Sequence, residues 1–288
     1  MVESVKAGFR GYVELGGIIV RCTDFSVKLS QEALFYDHTI GLRDSVPDSI
    51  LDTKGDDAEW NEQKIFWRAS PKLVEGAISY PLAELSADAF FLEAANGDTL
   101  DDLDLYYSCE AGKRFKFCKV NSYAFTATAG EVPSVSVGLM GAYVEDKGAP
   151  PIYDIPEKLI TWDEVDISGT GADEHIVSFE FSVNNNCMPI YTAGTNLGVG
   201  GLADGISPLL VNDIRVGMQT VTGSVTFYND EGPLDTFVEE QVPLVITITA
   251  GLLTVQLNVL YLYPEREGRT NAYIRTIPFH GVELAVQP

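Results

Sequence analysis

The stretch Val216–Asp230, VGMQTVTGSVTFYND, decides how the chain is read. Val221, Gly223, Val225 and Phe227 alternate with Thr222, Ser224, Thr226 and Tyr228. Apolar or small side chains therefore fall on one side and hydroxyls on the other, as in a half-buried strand. Asn229-Asp230-Glu231-Gly232 supplies the turn that ends it. The stretch has an upstream echo. LVEGAISY at Leu73–Tyr80 aligns with TVTGSVTF at Thr220–Phe227, Gly76 over Gly223.

Further matches occur at nearly the same separation. Asp24-Phe25-Ser26-Val27 corresponds to Glu180-Phe181-Ser182-Val183, Tyr36 to Tyr191, and Gly112-Lys113 to Gly268-Arg269. Their shared order points to two copies of one β-rich unit. Between them lies Gly148–Pro156, where Pro150, Pro151 and Pro156 make an extended, semi-rigid linker. The expected organisation is a first β domain over 1–147, a linker over 148–157 and a second β domain over 158–288.

Other segments are read in the same way. Gly16-Gly17 sits between Gly11–Leu15 and the long run Ile18–Leu29, predicting a hairpin. The Gln241–Pro264 run alternates on both sides of Ala250-Gly251 and contains Pro243, Gln256 and Asn258. It reads as a buried hairpin and not a membrane span. Arg114–Ala129 and Val135–Val144 read as strands, as do Leu159–Ile167, His175–Val183, Ala272–Thr276 and Val282–Val286. Thr99–Glu110 spaces Leu100, Leu103 and Tyr106-Tyr107 at helical intervals behind early acids, predicting a helix. His38–Glu62 is polar and acidic. A loop of about 25 residues is uncommon in a compact domain and is typically functional.

The net charge of −23 argues against holding nucleic acid through phosphate contacts, which need Lys and Arg. It equally opposes binding to an anionic membrane surface. Cys22, Cys109, Cys118 and Cys187 lack C-x-x-C spacing and read as reduced, mostly buried thiols. The N-terminus has no apolar core of signal-peptide type.

Chemistry-bearing motifs fail on context. Gly198-Val-Gly200-Gly-Leu-Ala203 fits a dinucleotide fingerprint, but Gly205 and Pro208 prevent the helix that the fingerprint must open. His38, His175 and His280 have no metal-ligand spacing. Asp101-Asp102-Leu-Asp104 and Asp163-Glu164-Val-Asp166 lack the glycine and closing Glu of a calcium loop. There is no nucleophile elbow and no P-loop. A glycosidase carboxylate pair stays open on counting alone. Trp60, Trp67 and Trp162 read as sugar platforms or as packing. No catalytic residue, cofactor or metal ligand is selected.

Two sets of residues resemble a known family. One is the Gly-x-x-x-Val-Thr-Gly-Ser-Val-Thr-Phe run at Gly217–Phe227, after Asp213-Ile-Arg215. The other is the Phe-Ser-Val strand followed by Tyr36 or Tyr191. Both resemble segments of tailed-bacteriophage tail tube proteins. The resemblance implies a mainly β fold with a flanking helix. Here it would comprise two tandem tail-tube-like β-sandwich or barrel units, whose long hairpins complete an inter-subunit β-barrel.

It also implies a non-enzymatic virion protein. Stacked rings would conduct DNA through a channel without specific binding. Two units per chain turn the family's hexamer into a trimer, with contacts burying over ~2,000 Å². Assembly would take place in the host cytoplasm. Partners would be further copies, a terminator, a baseplate and, in a contractile tail, a sheath. On this reading Asp44, Asp48, Asp52, Asp56 and Asp57 belong to a stacking loop. Gly76 and Gly223 mark corresponding places of close approach in assembly, and inward carboxylates repel phosphate. The alternatives are a tail tip, baseplate or terminator protein of the same fold and, from another class, a carbohydrate-binding or glycosidase β-sandwich.

Overall fold

The structure is a computed structural model. It describes residues 11–15, 18–30, 33–37, 65–69, 73–83, 103–106, 112–148, 158–190, 213–228, 234–251, 253–262 and 274–287. The first half contributes β1 (Tyr12–Leu15), β2 (Ile18–Arg21), β3 (Asp24–Ser30), β4 (Ala33–Asp37), β5 (Ile65–Ala69) and β6 (Leu73–Pro81). It continues with β7 (Leu103–Tyr106), β8 (Gly112–Lys116), β9 (Lys119–Thr128), β10 (Ser134–Gly141) and β11 (Tyr143–Lys147). The second half holds β12 (Val165–Ser168), β13 (Ile176–Asn184), β14 (Met188–Ile190), β15 (Asp213–Arg215) and β16 (Thr220–Tyr228). After these come α1 (Leu234–Glu239), β17 (Leu244–Ala250), β18 (Leu253–Tyr261) and β19 (Ile274–Gln287).

The chain is mainly β. A ten-stranded sheet runs β12-β17-β18-β19-β16-β13-β9-β10-β6-β3, and a five-stranded sheet runs β11-β8-β7-β1-β2. β4 with β5 and β14 with β15 form two-stranded ribbons. The strand order of the first half, β3-β6-β10-β9 in one sheet and β1-β7-β8-β11 in the other, recurs in the second. There it reads β13-β16-β19-β18 and β12-β17-β18-β19. Each ribbon falls between the first two strands of its block in chain order.

Alternation carries this architecture. Val221, Val225 and Phe227 of β16 are buried while Thr222 and Tyr228 are exposed. On β18, Leu253, Val255, Leu257, Val259 and Tyr261 all face the core. Opposite them, Ile246, Ile248 and Ala250 of β17 are buried, and Gly251, at φ 61°, opens the tight turn between the arms. The predicted hairpin over 241–264 is thus present. So is the strand at Leu73–Pro81.

The other predicted boundaries shift for local reasons. The Ile18–Leu29 arm is not one strand. Cys22 N–H closes the first hairpin on the Gly11 carbonyl at 3.0 Å, and Thr23 N–H starts the next pairing on the Ser79 carbonyl at 2.8 Å. Arg114–Ala129 divides at Phe117, whose φ of 55° turns the chain from the five-stranded sheet into the ten-stranded one. Val135–Val144 divides likewise at Ala142. In the second half β18 and β19 run unbroken, so the two predicted terminal strands are one, bulged at Val282 between Gly281 and Glu283.

The predicted helix at Thr99–Glu110 is corrected. Its described part is the strand β7, paired with β1 and β8. Asp104 there is 5% exposed and accepts from Arg114 Nε at 2.6 Å and Nη2 at 2.8 Å, with Lys147 Nζ at 3.1 Å. Burial alone would raise the Asp104 carboxyl. The hydrogen bonds and charges of Arg114 and Lys147 outweigh it and hold the group below its ordinary value. Tertiary pairing thus overrides the helical spacing. The helix of the described residues is α1, six residues long, which sets Val238 into the core.

Candidate assembly surfaces

One row of residues crosses the middle of the large sheet. Phe125, Phe181, Gly223, Phe279 and Tyr261 are successive register partners on β9, β13, β16, β19 and β18. Phe125 and Phe181 lie 5.6 Å apart, and Phe279 stacks on Phe179 at 5.8 Å. The Phe279 ring occupies the space above Gly223. A methyl group there would overlap that ring and the Glu180 carbonyl. Gly223 is small because its own chain closes over it.

Gly76 does not occupy the corresponding position. The first-half row is Phe25, Ile78, Val137 and Tyr123, so Ile78 stands where the second half has Gly223. Gly76 pairs with Val27 and Leu139, two residues away in register. A shift of two keeps every side chain on its face, which is why the sequence pattern did not reveal it. The Gly112-Lys113 match is displaced as well. Gly112 opens β8, whereas Gly268-Arg269 precede β19, and the repeated strand order pairs β8 with β18.

β9 and β13 join the two halves of the sheet, in register from Ser122↔Asn184 to Thr128↔Ser178. Asn185 locks one end of this seam. It is fully buried, its Nδ2 donates to the Val120 carbonyl at 2.9 Å, and Gln219 Nε2 donates to its Oδ1 at 2.9 Å. Its backbone N–H reaches the Asn121 carbonyl at 2.8 Å, and Asn121 Oδ1 accepts from Cys187 N–H at 2.8 Å. Asn186, at φ 46°, then turns the chain and donates from Nδ2 to the Met218 carbonyl at 2.7 Å. The sequence reading passed over Asn184-Asn185-Asn186. Three consecutive amides at a strand end, able to satisfy or turn the backbone, were the available signal.

The open face of the sheet is dominated by hydroxyls. Ser122, Ala124, Thr126 and Thr128 of β9 align with Ser178, Glu180, Ser182 and Asn184 of β13, then with Thr220, Thr222, Ser224 and Thr226 of β16. Ser182 Oγ and Thr222 Oγ1 lie 3.1 Å apart, Thr226 and Thr276 hydroxyls 2.9 Å apart, and Ser224 Oγ donates to Glu180 at 2.8 Å. Glu180 is the one charged residue of these three strand segments. Lys119, at the start of β9, lies just outside them.

The remaining candidates separate. Asp44, Asp48, Asp52, Asp56 and Asp57 lie outside the described residues. So do 149–157 of the linker, the glycine-rich fingerprint at 198–203, His38, Cys109, Trp60 and the turns at 229–232 and 265–269. Trp162 packs on the core and His175 and His280 are exposed. Asp163 and Glu164 serve a 3-10 turn: Thr161 Oγ1 donates to Asp163 at 2.6 Å, and Thr161 N–H donates to Glu164 at 3.1 Å. Among the described residues no helix is long and apolar enough to cross a membrane.

Comparison with known proteins agrees with this architecture. A family model described as phage tail tube protein matches residues 62–286, which takes in β5 and all but the last residue of β19. None of the curated proteins compared with the chain matches it. With most of its length covered by that match, the chain belongs to the phage tail tube protein family and is a structural component of a phage tail.

Proposed function

We propose that this chain is the major tail tube protein, a duplicated two-unit member whose trimers form rings of six similar units. The observation that carries the reading is the ten-stranded sheet that runs through both halves with a repeated strand order. A sheet that already joins one unit to the next needs only a repeat of the same step to close, and closure removes exposed strand edges.

In this reading the open hydroxyl face lines the channel. Phosphate binding is driven by Lys and Arg, and residues 122–128, 178–184 and 220–226 carry neither. DNA would slide along it without specific contacts. The acid-rich segment between the arms of β4 and β5, with Asp44, Asp48, Asp52, Asp56 and Asp57, would contact the next ring. The ends of the tube would meet terminator and baseplate proteins, and a sheath would surround it in a contractile tail. The rings would assemble in the host cytoplasm before entering the virion.

Negative-stain microscopy of the purified protein tests the reading. Tubes of stacked rings with a central channel are expected. Single rings that never stack would move the protein to the tip or terminator, and a monomer under all polymerising conditions would overturn the ring.

A further inference from the structure

We propose that the outer edge of β3 receives residues 260–262, the end of β18 and the residue after it, from a second copy of this chain, with Ser26 opposite Leu262, Val27 opposite Tyr261 and Lys28 opposite Leu260. The inference rests on the ring reading above and supplies its joint.

β3 ends the ten-stranded sheet, and among the described residues only β6 pairs with it. A seven-residue strand that no described strand covers on one edge is a template for another strand. The chain contains its own example of what covers such an edge. β13 holds in the second half the place that β3 holds in the first, and on that side it pairs with β9.

Counting across the rows fixes the equivalent of β9. Phe25, Ile78, Val137 and Tyr123 are successive partners in the first half; Phe181, Gly223, Phe279 and Tyr261 are in the second. Tyr261 therefore stands where Tyr123 stands, and both are fully buried. Within the chain Tyr123 pairs with Val183 and Ala124 with Ser182. Carried over, Tyr261 pairs with Val27 and Leu262 with Ser26.

Among the described residues the acceptor edge is uncovered at the right place. β17 covers β18 from Leu253 to Val259 and goes no further. The residue before β17 is Pro243, which has no N–H to extend the ladder. The first half divides the same side of the same long strand in this way: β7 covers β8, and β13 covers β9. Leu262 is 40% exposed, an apolar side chain left at the end of a covered strand. The competing edge is β12. It is four residues long with Asp166 exposed, the short and charged form that discourages edge pairing.

The double variant Ser26→Cys with Leu262→Cys tests the joint in assembled protein. Directly opposed strand residues have Cα atoms within disulfide reach. Mild oxidation should give a ladder on a non-reducing gel, rising in steps of the 31.4 kDa chain. Neither single variant, nor Ser26→Cys with Asp166→Cys, should give it. Hydrogen exchange on the unaltered protein is the second readout, with amides of 24–30 slowing at least tenfold on assembly. Rings or tubes that form without the Ser26–Leu262 ladder, or with unchanged exchange over 24–30, overturn the joint and leave the ring standing. Failure of the unaltered protein to form rings overturns both.

Discussion

Phe179 and Phe279 stack at 5.8 Å although a whole strand, β16, runs between their own strands. Gly223, the register partner of Phe279, has no side chain on the core side, and the Phe279 ring lies over it on its diagonal approach to Phe179. The two rings and the glycine form one packing unit, so a side chain added at Gly223 is expected to act on folding as well as on any assembly role.

Gly223→Ala is expected to cost about 1–3 kcal/mol by overpacking, and Phe279→Ala about 3–5 kcal/mol by leaving a cavity. The pair Gly223→Ala with Phe279→Leu should cost less than the sum, because a smaller side chain makes room for the methyl group. Urea denaturation of the unassembled chain measures all three. A Gly223→Ala chain of unchanged stability that fails to form rings would show that Gly223 serves assembly instead.

Asp104 gives a pH prediction. Its folded-state value lies below the ordinary carboxyl value of 3.8. Its stabilisation is therefore fully present above that value and is lost as pH falls through the lower folded value. Asp104→Asn should lower stability near neutral pH, leaving the part-exposed Arg114 and Lys147 without their shared carboxylate, by about 1–3 kcal/mol. The gap to the unaltered chain should narrow below about pH 4. Denaturation midpoints from pH 7 to pH 2 show whether it does.

Asn185→Ala removes the two side-chain hydrogen bonds that tie the seam to Val120 and Gln219. The expected loss is about 1–3 kcal/mol per buried partner left unmade. Exchange of the Lys119–Thr128 and Ile176–Asn184 amides should quicken first. A global loss with these strands no faster than the rest would contradict a seam-specific role.

Burial pushes the Cys118 thiol up to about 12 and raises Cys187 as well. Neither should react with a thiol reagent at pH 8 in the folded chain, since the thiolate is the reactive form. Both should react after unfolding, and mass spectrometry of the labelled peptides reads this directly.

The sequence made the central strands legible because alternation is a local signal. Val221–Phe227 and the arms around Ala250-Gly251 fall where their periodicity puts them. What it hid depends on partners distant in the chain. Leu103–Tyr106 carries a helical spacing that pairing with β1 and β8 overrides, and Asp104 is a buried acid only because Arg114 and Lys147 arrive from other strands. The breaks at Phe117 and at Cys22-Thr23 lie inside runs whose composition does not change. Gly76 and Gly223 align in sequence yet differ by two residues in register, a displacement that a period of two cannot report. Of the assembly candidates, the repeated Phe-Ser-Val strands pointed to β3 and β13, whereas Asn185 came only from seeing both ends of the seam.

The most direct test of the two-unit ring is the mass of one ring, measured by native mass spectrometry or by counting chains in a cross-section. Three chains, three times 31.4 kDa, with six similar densities around the channel are predicted. Six chains per ring would contradict the account.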